Sequence, residues 1–551
     1  MRAACLATFC LSLFVVPPVL AADAPVITPA GIARHVEVLA SDAFEGRAPA
    51  TPGEDKTVAY LAEQFARAGA KPGASGGWFQ DVPMVTQTVD PRVALTISGA
   101  AAPITLAYGT DMVVWSKRVR PKVTVENAGL VFVGYGISAP EWGWDDYAGV
   151  DVRGKTVVIL VNDPGYATGD TGLFNGKAMT YYGRWTYKFE EAARRGAAAA
   201  LIVHQTAPAA YPWGVVTTSW TGPQRDVARA DDGMDRVAAE GWLTEAASRR
   251  LFQAAGLDFD ALTKAAATRG FKAVPMASLA LSTTLDNQIA RANSRNVVAL
   301  VPGRKHADEY VLYTAHWDHL GRCTPDATGD DICNGAVDNA TGTAALIELA
   351  AAFTKAKPER SVVLLAVTGE ESGLLGSTYY AANPIYPLAR TVAGINMDAL
   401  STIGRTHDVV VVGHGKSELE NILQQWAARQ GRVVVPEATP ENGAFYRSDH
   451  FPFAKAGVPM LYAEGGIDVV GKGIEWGKAQ VDRYVADHYH QPSDEYSPDM
   501  DLSGAAEDVQ LLFNVGAAIA SSRDWPTWLP SAEFAAARAA SRAAAAGERK
   551  Q

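Results

Sequence analysis

The chain has 551 residues, 48% hydrophobic and 20% charged, and its 49 Lys and Arg against 60 Asp and Glu leave a net charge of −11. That length and apolar content support a large buried core and exclude wholesale disorder, a collagen-like repeat and a disulfide-stapled miniprotein. The acidic balance argues against a nucleic-acid partner, because phosphate backbones are held largely by clustered Lys and Arg that release counterions.

The first apolar run, LATFCLSLFVVPPVLA, follows Arg2, is interrupted by Pro17 and Pro18, and runs into the small residues Ala21 and Ala22. It reads as a secretory signal peptide over residues 1–21 rather than a membrane span or anchor, so a secreted or periplasmic protein is expected. Its removal takes Cys5 and Cys10 away and leaves Cys323 and Cys333, a close pair that reads as one disulfide in an oxidising compartment. Residues 22–124 carry helical patterns around 32–39 and 53–68, where Val58, Leu61 and Phe65 recur at helical spacing. Over 125–284 the texture changes to short apolar pieces, GLVFVGYG, KTVVILVNDPG and AALIVH, with a helical FEEAARRGA between them, and reads as a smaller inserted β-rich domain, with Trp142, Trp144, Trp213 and Trp220 read as its core in preference to a substrate wall.

From 285 to 530 near-continuous apolar runs alternate with amphipathic segments. EYVLYTAHWD, SVVLLAVTGEE, TVAGINMDAL, DVVVVG and GVPMLYAE are strands buried on both faces, and TGTAALIELAAAF and ELENILQQWAARQ are helices between them. This predicts an α/β fold, an open sheet with a mostly parallel core covered by helices. The Ala-rich end, 531–551, reads as a peripheral helix or a frayed tail.

Chemistry-bearing side chains cluster where those strands stop, which is where open α/β sheets bind ligands. The first run ends on His316 and Asp318, the second on Glu370 and Glu371, and the third on Asp398; Asp338 heads the helix after the first strand, and His490 lies in YHQPSDEY. Each has an ordinary alternative: a surface histidine, an N-cap for Asp338, a solvated acidic pair for the two glutamates. Their joint occurrence, in order on alternating strands and helices, is what points to a site. Asp318, two residues after His316, falls on the same face of an extended strand and is expected to fix the His316 ring through its carboxylate.

The ordered set TAHWDHLG, GAVDNATGTA, TGEESGLLGS, INMDAL and YHQPSDEY resembles the secreted di-zinc (cocatalytic) aminopeptidases, whose superfamily includes glutamate carboxypeptidase and glutaminyl cyclase. VGYGISAPEWGWDDYAGVDVRGKTVVIL resembles the protease-associated domain inserted in many members. The resemblance implies two Zn²⁺: one on His316 and Asp398, one on Glu371 and His490, with Asp338 bridging. Two zinc ions (+4), three carboxylates (−3) and a hydroxide (−1) would form a neutral cluster that can be buried. It further implies Glu370 as general base, a cis peptide after Asp338, and peptides with a free N-terminus as substrates. Tyr489 matches a tyrosine that could donate to an oxyanion, or it is an ordinary amphipathic core residue. His319 is read as a neighbour outside the ligand set, His488 as the weaker competitor of His490, and Asp449 and His450 as pocket residues without a metal. The loop holding Asp326, Asp330 and Asp331 is read as a disulfide-pinned rim whose acidic residues are either solvated or attract a cationic amino terminus. A glutamate-releasing carboxypeptidase, with Arg447 as the clamp for a terminal carboxylate, and a non-catalytic receptor on the same scaffold are the competing readings.

Overall fold

The apolar run EYVLYTAH forms the strand His306–His316 at the centre of a sheet in which Arg360–Val367 and Thr391–Asn396 flank it in parallel. Met460–Gly465 extends the parallel set beside Thr391–Asn396. This computed structural model describes residues 25–548, so the signal-peptide reading lies outside the described residues. Every residue of the two flanking strands is buried, which is why their sequences carry no polar alternation. Alternate side chains feed two layers. Val311, Tyr313, Val362 and Leu364 pack with the helices Thr341–Ala356 and Ser503–Ser521, and Leu312, Val363 and Leu365 pack with Phe453 of the helix His450–Lys455.

The order of the strands positions the site. From His306–His316 the chain crosses through Thr341–Ala356 to Arg360–Val367 on one side, and Thr391–Asn396 then lands on the other. The winding direction reverses at His306–His316, and the carboxyl end of such a strand opens into a crevice. Antiparallel strands complete the edges: Val274–Val301 against Arg360–Val367, Phe79–Val89 beyond it, and Asp408–Val411 on Met460–Gly465. The 32–39 and 53–68 patterns are the helices Pro29–Leu39 and Pro52–Arg67, the first capped by Thr28 accepting the Gly31 N–H.

A second sheet has its own parallel core of Lys122–Phe132, Thr156–Leu160, Ala199–His204 and Ala239–Thr244. The 28-residue strand Val274–Val301 threads both sheets. It pairs with Lys122–Phe132 up to Asp286 and with Phe79–Val89 from Asn287 onward. The second sheet also takes in Ala94–Ser98 and Met112–Trp115, which precede residue 125. Trp142 and Trp144 pack on Phe174, Trp220 on Trp115 and Trp213 on His204, all within this second body. The Ala-rich end forms the helix Ala535–Glu548, tied down where Arg538 donates to the carbonyls of Leu388 and Thr391. Among the described residues no helix is long and apolar enough to cross a membrane.

Candidate metal centre

Three neighbouring strand ends and two loops converge. His316 is the last residue of the central strand, Glu370 and Glu371 follow Arg360–Val367 after a turn at Gly369 (φ 67°), and Asp398 lies just past Thr391–Asn396. Asp338 precedes the helix Thr341–Ala356, and its peptide bond to Asn339 is cis. His490 follows the helix Ile474–Asp487 and comes back over the strand ends. The disulfide-bonded Cys323 and Cys333 close a small hairpin beside it, with Cys333 Sγ 3.8 Å from the His490 carbonyl oxygen.

Asp338 stands between two donor sets. Its Oδ1 is 3.3 Å from His316 Nε2, which is 3.1 Å from Asp398 Oδ1. Its Oδ2 is 3.3 Å from His490 Nε2, which is 3.1 Å from Glu371 Oε2. Donor atoms of His316, Asp338 and Asp398 lie within 4.8 Å of one another, and so do those of His319, Asp338 and Glu371.

The surroundings correct one expectation. The His316 ring is fixed by the main chain of Asp318, whose carbonyl oxygen lies 3.0 Å from Nδ1, while the Asp318 carboxylate is 3.9 Å away and accepts the Glu370 N–H at 3.2 Å. The strand ends at His316, so the alternation that would align the two side chains no longer applies. Asp318 thus places the segment that carries Glu370. His488 turns to the carbonyl of Ser493, away from the cluster. Asp449 accepts from Ser377, and His450 packs on Phe445 and Tyr462; both are buried outside the converging donor atoms. Tyr489 is 39% exposed and stacks on the His490 ring at 3.9 Å.

The donor set suits a cation. Asp338, Glu371 and Asp398 are largely buried, and among the described residues their ion-pair partners are imidazoles, with the Arg47 guanidinium acting on Asp338 and Glu371 only from beyond ion-pair distance. Buried carboxylates in that situation require positive charge from elsewhere. The proton affinities show the demand. Burial disfavours a charged His490, but Asp338 and Glu371 raise it to about 10. Burial likewise opposes a charged His316, and Asp398 and Asp338 raise it well above its ordinary value. Against burial, His316 and His490 hold Asp338 far below the usual carboxylate range. Imidazole and carboxylate donors are what Zn²⁺ takes. Glu370 differs: burial first, then the charges of Asp398, Glu371 and Asp449, push its carboxyl well above the ordinary range.

Several supporting residues carry no motif that marks them. Ser448 donates to Asp398 Oδ2 at 2.5 Å, and Thr343 to the His316 carbonyl at 2.7 Å. Asp494 accepts the N–H groups of Val337 and Asp338 at 3.0 and 3.2 Å. Buried Arg47 donates to the carbonyls of Leu39, Trp317, Asn334 and Gly335, tying together the segments that carry His316 and Asp338. Ser448 and Asp494 sit inside the segments RSDHFPF and YHQPSDEY, beside residues the sequence does mark.

Residues 296–513 match peptidase family M28. A probable zinc metalloprotease of Pyrenophora teres f. teres is 37% identical over 115 residues, 20% of this chain and 24% of that protein. A glutamate carboxypeptidase 2 homolog of Caenorhabditis elegans is 28% identical over 198 residues, 34% of this chain and 23% of that protein. The matched region therefore spans about a quarter of these curated relatives. Among solved structures, an aminopeptidase from Aneurinibacillus sp. strain AM-1 is 19% identical with a TM-score of 0.47, covering 91% of this chain and 95% of that one. A zinc aminopeptidase from Bacillus subtilis is 16% identical with a TM-score of 0.38, covering 90% and 94%.

Proposed function

We propose that the protein, whose residues 296–513 match peptidase family M28, is a di-zinc aminopeptidase that hydrolyses the N-terminal peptide bond of peptides with a free amine. The observation that carries the two-ion reading is the Asp338 carboxylate, whose two oxygens each lie 3.3 Å from a different imidazole. His316 and Asp398 would hold one zinc, Glu371 and His490 the other, and Asp338 both. When bound, the ions supply Lewis acidity to the scissile carbonyl and lower the pKa of an attacking water. Glu370, free of the donor pairs above, takes the proton of that water on its carboxylate and passes it to the departing amine. Asp318 holds the Glu370 backbone in place, and Tyr489 offers its hydroxyl to the oxygen on which negative charge develops. The second sheet serves as a protease-associated insert, and the leader directs the chain to the periplasm or the exterior.

One observation favours the carboxypeptidase reading. Arg447 is exposed, has no carboxylate partner among the described residues, and directly precedes the Ser448 that holds Asp398. A peptide panel separates the two. Free-amine dipeptides and aminoacyl anilides are expected to be cleaved and N-acetylated ones spared, with activity lost to a chelator and restored by zinc. Cleavage that survives acetylation but needs a free C-terminal carboxylate would replace the aminopeptidase assignment with the carboxypeptidase one.

A further inference from the structure

By its place in the sequence His319 is a bystander to the ligand set, and its surroundings say otherwise. The ring is fully buried, and its Nδ1 lies 2.6 Å from Glu371 Oε1. Despite that approach, Nδ1, Nε2 and Glu371 Oε1 have no hydrogen-bond partner among the described residues, because the ring N–H direction misses the oxygen. A close nitrogen–oxygen approach that is not a hydrogen bond fits two atoms that both point at a third partner. His490 Nε2 shows the same signature: it is 3.1 Å from Glu371 Oε2 and 3.3 Å from Asp338 Oδ2, and it too has no hydrogen-bond partner. The two rings meet edge to face at 5.6 Å.

The ring fills a space left by a glycine. A Cβ at Gly335 would come within 2.2 Å of the Asp338 carbonyl oxygen and 2.6 Å of His319 Cγ and Cδ2, so glycine there leaves the space that the imidazole fills beside Asp338. An imidazole with both nitrogens unsatisfied in a buried site costs stability unless something binds it.

We propose that His319 is a fourth protein ligand, through Nδ1, of the ion held by Asp338, Glu371 and His490. This rests on the two-zinc reading and goes beyond it by making the two sites unequal. The His316 site has three protein ligands, and the His319 site has four and is the tighter. His319 shares a strand-end loop with His316, so one segment of chain serves both ions.

The test is zinc binding to the metal-stripped full chain, read by competition with a chromogenic chelator and by metal content after dialysis, together with the visible absorption of the cobalt-substituted protein. Wild type is expected to bind two ions in separable steps. His319→Ala should weaken the tighter step by at least about tenfold, the scale on which even indirect partners of a metal act, leave the weaker step in place, and alter the cobalt spectrum of the tighter site. His488→Ala is the control and should change neither step. The melting temperature of the metal-free variants reports whether each folds; should His319→Ala fail to fold, His319→Phe, which keeps the ring's bulk and removes its nitrogens, takes its place. Unchanged affinity and spectrum in a folded His319 variant would overturn the assignment. Failure of the wild type to bind a second ion would instead overturn the two-zinc reading beneath it.

Discussion

Replacing Glu370 with Gln separates its chemical role from its structural one. The substitution keeps shape and removes the ability to take a proton. A positioned general base contributes about 10²–10⁴-fold to rate, or about 3–5 kcal/mol of barrier. Of the neighbouring carboxylates, Glu371 faces His490 and His319, Asp398 accepts from Ser448, Asp449 accepts from Ser377 and Asp318 accepts the Glu370 N–H, so each already has a role of its own. Stability should move the other way. The folded Glu370 carboxyl holds its proton well above its ordinary pKa of 4.5, through burial and then the charges of Asp398, Glu371 and Asp449. Above that pH the unfolded chain releases the proton that the folded chain retains, so the group's contribution to folding falls as pH rises. The neutral amide removes this penalty, and metal-free Glu370→Gln should melt above the wild type at neutral pH. The assay is steady-state hydrolysis of an aminoacyl anilide with zinc content measured in parallel, plus melting of the metal-free proteins. Turnover within about tenfold of wild type at full zinc occupancy would refute the base assignment, and a lower melting point would refute the electrostatic account.

Two further substitutions probe the frame. Tyr489→Phe keeps the stack on His490 and removes the hydroxyl, so an oxyanion donor predicts kcat lower by about 10²-fold with zinc content unchanged; an unaltered kcat would leave Tyr489 a packing residue. Arg47→Met would strip four buried carbonyls of their donor, and thermal or urea unfolding of the metal-free chain should show a loss of about 3–5 kcal/mol; a loss under 1 kcal/mol would mean that the segments bearing His316 and Asp338 need no such tie.

The legible parts of the chain were those whose physics is local. A strand buried on both faces must be apolar along its length, so Arg360–Val367 and Thr391–Asn396 stood out, and the polar residues that end those runs marked the crevice. Residues that act through a distant partner carried no such mark. Ser448 is a serine in a short helical loop until the fold sets it 2.5 Å from Asp398, and Arg47 is one arginine among many until its guanidinium meets carbonyls some 270 and 290 positions away. Asp318 shows the limit of a local rule: the two-residue period predicted its side chain beside His316, but the strand ends there and only its carbonyl reaches the ring.

Composition and pattern alone determined the α/β class and which histidines and acids stand at strand ends, because burial and periodicity are properties of neighbouring residues. Only the tertiary structure decided that Asp338 faces two imidazoles at once and that His319 turns toward Glu371. Those relations are set by how separate strands and loops are packed together, and no stretch of sequence encodes the direction in which a side chain meets a partner from another part of the chain.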